Sequence, residues 1–188
     1  MRTWMVTAAL LALFLAPAQA KDDDARTRWL RENAVQVRSI DPADVDFKDL
    51  EPLKQILGDA RVVQLGEQTH GDGACFLAKA RLIKFLHQEM GFDVLAFESG
   101  FYDCAKGWET LKADAAGTDK SDFGIFGIWT QSHEVKPTLD YLRAAAQTKR
   151  PLELCGYDCQ LTSGVSRKHL EKDLRAVTQA VAVSYTHL

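Results

Sequence analysis

Glu67, His70, Glu98 and Asp158 are the residues of this sequence whose types could do chemistry together. An imidazole that titrates near pH 6.5 can take a proton from water, and a neighbouring carboxylate can fix its tautomer and support the imidazolium that forms. The same donors, one histidine with two or three carboxylates, are also a plausible set for a divalent ion. A third use is to hold a small ligand without turning it over. Taken singly, each residue has an ordinary explanation: His70 as a helix cap, Asp158 as an Asx-turn residue, Glu98 as a solvated strand end. Their shared placement is what singles them out.

That placement comes from the elements around them. Arg61–Leu65 reads as a short strand, Gly66–Gly73 as a turn with three glycines, and Ala74–Met90 as a helix with Phe76, Ala80, Ile83 and Leu86 inward and Gly91 as its stop. Phe92–Phe97 is a nearly continuous apolar run, as expected of a strand covered on both faces. A helix around Asp103–Ala113 and then a loop are expected next. A helix from Val135 to Ala146 carries Pro137 in its first turn, Leu152–Cys155 is a third strand, and Val165–Ala182 a last helix. Upstream, Asp24–Arg38 and Phe47–Leu57 read as two further helices. Strands alternating with helices predict an α/β fold with a parallel sheet of βαβ units. Glu67 and His70 then follow strand one, Glu98 closes strand two and Asp158 follows strand three. That C-terminal edge is where such sheets gather ligands and catalytic groups.

The chain has 188 residues, 46% hydrophobic and 26% charged, ordinary values for one packed domain. Its formal charge of -3 gives no basic footprint, so nucleic acid is not an expected partner. Residues 1–20 have the form of a signal peptide, with Arg2, the apolar run Met5–Leu15 and the small-residue site Ala18-Gln19-Ala20. The run is too short for a bilayer of about 30 Å, so a periplasmic or secreted protein without a membrane anchor is expected. Val183–Leu188 (VSYTHL) resembles the translation of a transposon-end adapter used in sequencing libraries, so these six residues are read as an artefact and the natural chain is expected to continue past Ala182. Cys75, Cys104, Cys155 and Cys159 permit three disulfide pairings or none, buried free thiols being the alternative.

Gly66-Glu67-Gln68-Thr69-His70-Gly71, Gly91-Phe92 leading into Phe97-Glu98, and Gly156-Tyr157-Asp158 together resemble the erythromycin esterase-like family, over about Leu50 to Gln160. The resemblance marks residues 21–182 as the N-terminal part of such an α/β domain, truncated at the C-terminus. It implies a metal-independent hydrolase with a small-molecule ester or lactone as substrate, His70 activating water and Glu67 and Glu98 supporting it. The family has an arginine nine positions beyond the motif histidine, where this chain has Lys79, with Arg81 two residues later as a substitute. Lys79, Arg81, Asp158, Trp129 and Glu134 are the candidates for substrate contact. No cofactor is expected, a divalent metal being the alternative, and a non-catalytic ligand-binding protein is the reading from another class.

Overall fold

A computed structural model describes residues 24–114, 123–161 and 163–185. The signal-peptide expectation therefore lies outside the described residues. The chain divides into two units, one ending at Gln36 and the other beginning at Val37. In the first, helix α1 (Ala25–Asn33) starts at Asp24, whose Oδ1 accepts the Thr27 N–H at 2.9 Å. It is shorter than the predicted Asp24–Arg38, because Ala34 is extended and β-branched Val35 and Val37 follow.

The second unit carries the remaining elements. Helix α2 (Pro52–Leu57) begins at a proline whose fixed φ suits a first turn, so the predicted helix from Phe47 is only turns before that point. Helix α3 (Gly73–Met90) is capped by Asp72 and closed by Gly91 at φ 80, a left-handed position that costs a glycine little. Strand β1 (Val94–Gly100) leads into helix α4 (Phe101–Ala113). Then come the four-residue helix α5 (Gly127–Thr130), inside the stretch expected as loop, and helix α6 (Lys136–Ala146). Strand β2 (Glu153–Asp158) and helix α7 (Gly164–Tyr185) complete the described part, α7 running on through Val183–Tyr185.

The protein is thus mixed helix and strand, with β1 and β2 forming a two-stranded parallel sheet. Two expectations are corrected. Arg61–Leu65 is not a strand: the segment has no sheet assignment, and Val62 is 76% exposed while Leu65 packs into the core. Among the described residues, the apolar run after Gly91 is covered on one face, with Leu95 and Phe97 packed inward and Val94 and Ala96 exposed. No backbone among the described residues pairs with Arg61–Leu65. Among the described residues, no helix is long and apolar enough to cross a membrane.

The main core lies between the packed sheet face and the helices, through Phe76 and Ile83 of α3, Trp108 and Leu111 of α4, Leu142 of α6 and Leu154 of β2. Gly107 lets the loop before α5 lie directly on α4: a Cβ there would sit 1.7 Å from the Phe123 carbonyl oxygen. A second cluster, Phe47, Leu50, Phe85 and Leu86, packs α3 against the segment before α2. The four cysteines are unbridged, and Cys104 is fully buried with its thiol 3.9 Å from the Gly124 carbonyl.

Candidate active site

The register of the sheet decides where its polar ends point. Phe97 pairs with Gly156, but the next pair is Gly100 with Asp158, so β1 holds one residue more than β2 at Glu98-Ser99. A bulge of this kind re-aims a side chain. It needs Gly156 opposite, since a Cβ there would lie 2.4 Å from the Ser99 carbonyl oxygen. Glu98 is accordingly inside β1 rather than its last residue.

Beside this bulge lies a cavity of about 360 Å³, within the size range of small-molecule sites. Leu65, Phe76, Ile83, Leu95 and Phe97 make its apolar wall, and Glu67, His70, Lys79, Glu98 and Tyr157 supply its polar groups. Lys79 reaches it from α3 because it shares a helical stripe with Phe76 and Ile83, three residues before and four after it. Glu67 and His70 enter from the turn that leads into α3.

Glu67 is the centre of the arrangement. Its Oε1 is 2.6 Å from His70 Nδ1, and its Oε2 accepts from Lys79 Nζ at 2.5 Å. Burial alone would raise its pKa, but the hydrogen bonds from Lys79 and His70 outweigh burial and hold the carboxyl below its usual range. An ionised carboxylate can only accept, so Nδ1 is the donor and neutral His70 carries its lone pair on Nε2. The His70 ring also meets Trp129 edge-on, centroids 4.8 Å apart and planes at 86°. Trp129 is buried and donates its indole N–H to the Glu98 carbonyl at 3.1 Å.

Tyr157, which residue type alone did not single out, also lines the cavity. Burial, then the charges of Glu98, Glu67 and Asp158, push its hydroxyl pKa up, so it remains a proton donor at neutral pH. Its position in the Gly156-Tyr157-Asp158 run is the signal by which it could have been found.

Three predicted residues lie elsewhere. Asp158 does not line the cavity, and its carboxylate accepts the Gln160 N–H at 2.9 Å in an Asx-turn. Glu134 accepts from Ser132 Oγ at 3.0 Å and fills the space beside Gly73, where a Cβ would be 2.8 Å from its Cγ. Arg81 is 1% exposed and makes a two-pronged pair with Asp49, on the side of α3 away from the cavity lining. Among the described residues, no group of three or more His, Cys, Asp and Glu side chains is arranged to hold a metal ion.

A sequence profile of the family described as erythromycin esterase matches residues 87–187. This chain belongs to the erythromycin esterase family. Among its relatives, "Putative hydrolase YbfO" of Bacillus subtilis is 36% identical, over 83% of this chain and 34% of its own. Erythromycin esterase type II of Escherichia coli is 28% identical over 76% of this chain and 34% of its own. A Bacillus cereus protein of known crystal structure superposes with a TM-score of 0.61 at 28% identity, over 70% of this chain and 32% of its own. The chain thus spans about a third of the length of these relatives.

Proposed function

We propose that this chain carries the catalytic cleft of an exported hydrolase, in which His70 activates water for attack on an ester or lactone. The observation that carries the reading is the Lys79–Glu67–His70 relay opening into the cavity, with distances of 2.5 Å and 2.6 Å. The names of the relatives support an ester-type substrate for it.

The steps follow from the geometry. Glu67 holds the Nδ1–H tautomer, so Nε2 takes a proton from a water molecule as its oxygen bonds to the acyl carbon. The carbonyl pair moves to oxygen, and Lys79 keeps Glu67 ionised so that it supports the imidazolium now formed. Tyr157, protonated and at the rim, donates to the developing oxyanion. Collapse of the tetrahedral intermediate breaks the acyl–oxygen bond, and the leaving alkoxide takes the proton from Nε2. Glu98, on the same wall, orients the attacking water. The apolar wall receives the acyl part of the substrate.

The reading routes no step through a metal: both oxygens of Glu67 are already engaged, and a cation would have to displace Lys79 or His70. Export with loss of residues 1–20 belongs to the same proposal, and an intact mass lacking them is its check. The test of the chemistry is His70→Ala, assayed on a panel of aryl esters and lactones with and without chelator. Loss of about 100- to 10,000-fold in kcat, the span of general-base catalysis, is expected, with no effect of chelator. Unchanged turnover in the variant overturns the reading. Saturable binding without product on long incubation replaces it with a binding function.

A further inference from the structure

We propose that Trp129 is the positioning residue for His70: its indole clamps the imidazole so that Nδ1 stays on Glu67 and Nε2 stays free. The inference deepens the hydrolase reading, in which that orientation is what makes His70 a base.

A hydrogen bond cannot hold the ring by itself. The bond from Nδ1 to Glu67 fixes one point at 2.6 Å, and the ring can still swing about that line. His70 also sits on a turn with its side chain 56% exposed, so little else confines it. The indole supplies a second contact to the ring, edge to face, with centroids 4.8 Å apart and planes at 86°. Nε2, on the ring edge away from Glu67, has no hydrogen-bond partner among the described residues, which is the state a base requires.

Trp129 is itself held firmly enough for this task. It is 7% exposed, meets Phe76 edge-on at 5.9 Å, and donates its N–H to the Glu98 carbonyl. Helix α5, which carries it, is fastened a second time where Phe126 N–H donates to the buried Ser99 Oγ at 2.9 Å. Both anchors lie on the β1 bulge, the two residues at which the sheet register shifts. The bulge that aims Glu98 therefore also sets the indole, and the indole sets the imidazole. His70 and Glu98 are brought into register by one tryptophan, although they come from separate segments.

A substrate platform would use the same ring differently, and the two roles separate by measurement. Nitrogen NMR of the 188-residue chain, at a pH where His70 is neutral, reports which ring nitrogen carries the proton, and the readout needs no turnover. Wild type is expected to hold the Nδ1–H form. In W129L and W129M, made together so that at least one folded non-aromatic variant is compared, the ratio of Nδ1–H to Nε2–H falls by about fivefold, the scale set by an edge-to-face aromatic pair. W129F, which keeps a ring, retains most of the wild-type ratio. An unchanged ratio in the folded non-aromatic variants overturns the proposal. In the ester assay, kcat falls by about 10-fold or more with KM within about twofold, since displaced catalytic geometry costs up to about 100-fold. A rise in KM with kcat unchanged makes Trp129 a substrate contact and overturns it as well. If wild type hydrolyses nothing, the hydrolase reading fails while the tautomer ratio still decides the positioning.

Discussion

Replacing Arg81 with methionine separates a structural from a substrate-binding role for that side chain. The guanidinium is 1% exposed and donates from Nη1 and Nη2 to the two carboxylate oxygens of Asp49 at 2.9 Å and 2.6 Å. Its other bonds go to the backbone carbonyls of Ser39 at 2.9 Å, Asp46 at 2.6 Å and Asp44 at 3.3 Å. Methionine keeps much of the stem's packing, so the loss is chiefly electrostatic: a carboxylate only 7% exposed and three carbonyls lose their donor. Breaking a buried pair by removing one partner costs about 3–5 kcal/mol. Arg38 N–H still donates to Asp49 at 2.8 Å, which places the expectation near the lower bound, about 3 kcal/mol. For a chain of this length, that is a fall of about 6–12 °C in Tm. Thermal melts by circular dichroism near neutral pH measure it, and repeating them in salt changes the shift little, because a buried pair is poorly screened. The pH dependence has a definite sign. Hydrogen bonds from Arg81 hold the Asp49 carboxyl well below its unfolded value of 3.8, so the pair's stabilisation is present above that value and disappears as pH falls through the folded one. The variant is therefore less acid-sensitive than its parent in relative terms. A Tm within about 2 °C of the parent would refute the reasoning, because it would mean that Arg81 contributes little where the geometry says it contributes most.

Two further predictions use the same logic. Burial, then the charge of Arg150, holds His87 below its ordinary pKa, and its ring is bonded through Nδ1 to Tyr141 Oη at 2.6 Å while Nε2 is buried without a partner among the described residues. Stability from keeping this ring neutral is present above about pH 6.5 and is lost as pH falls through the depressed folded value, at up to about 1.4 kcal/mol per pH unit. Melts from mildly alkaline to mildly acidic pH should show a slope that His87→Gln removes; an identical slope in the variant assigns it to another group. Gly107→Ala places a Cβ 1.7 Å from the Phe123 carbonyl oxygen, a backbone atom that cannot step aside without moving the loop. A loss of about 2–3 kcal/mol in urea unfolding is expected, whereas the gain of roughly 0.5–1 kcal/mol that alanine usually brings to a helix would show that the close approach does not exist.

The legible parts of the fold were those set by local chemistry. The Phe76–Ile83 stripe and Gly91 define α3 almost to the residue, because an apolar face and a left-handed stop each depend on a few neighbours, although the cap is Asp72 and not His70. Pro137 in the first turn does the same for α6. The failures were in what a strand requires from elsewhere. Arg61–Leu65 has strand composition, but a strand exists only when another backbone pairs with it, and no residue within the run encodes that partner. The Phe92–Phe97 run failed in a different way: hydrophobicity reports that burial on both faces is possible, not that both faces are covered. Only the Leu95 and Phe97 face packs against the core.

The candidate site divides along the same line. Glu67 and His70 are singled out by their placement after a run expected to be a strand, and they meet because a carboxylate three positions from an imidazole can reach it across one turn. The sequence could not tell Asp158 in an Asx-turn from Asp158 in a cavity, since either fits the C-terminal end of a strand. Lys79 and Arg81 are the instructive pair, as helical geometry could have ranked them. At 3.6 residues per turn, two positions are about 200° of rotation, so the residues must face nearly opposite ways from α3. Lys79 shares its stripe with Phe76 and Ile83, which line the cavity, whereas Arg81 precedes Phe85 by four residues, on the side that packs against Phe47 and Leu50. Arg81 therefore cannot stand in for a residue at position 79 without unwinding the helix. The substitution of lysine for arginine has its own consequence. A single ammonium bonded to Glu67 Oε2 leaves Oε1 wholly to His70, whereas a guanidinium, with its two-pronged geometry, would compete with the imidazole for both oxygens. Lys79→Arg is thus expected to weaken the Glu67–His70 bond while preserving charge, and the tautomer ratio of His70 is the quantity in which that competition would appear.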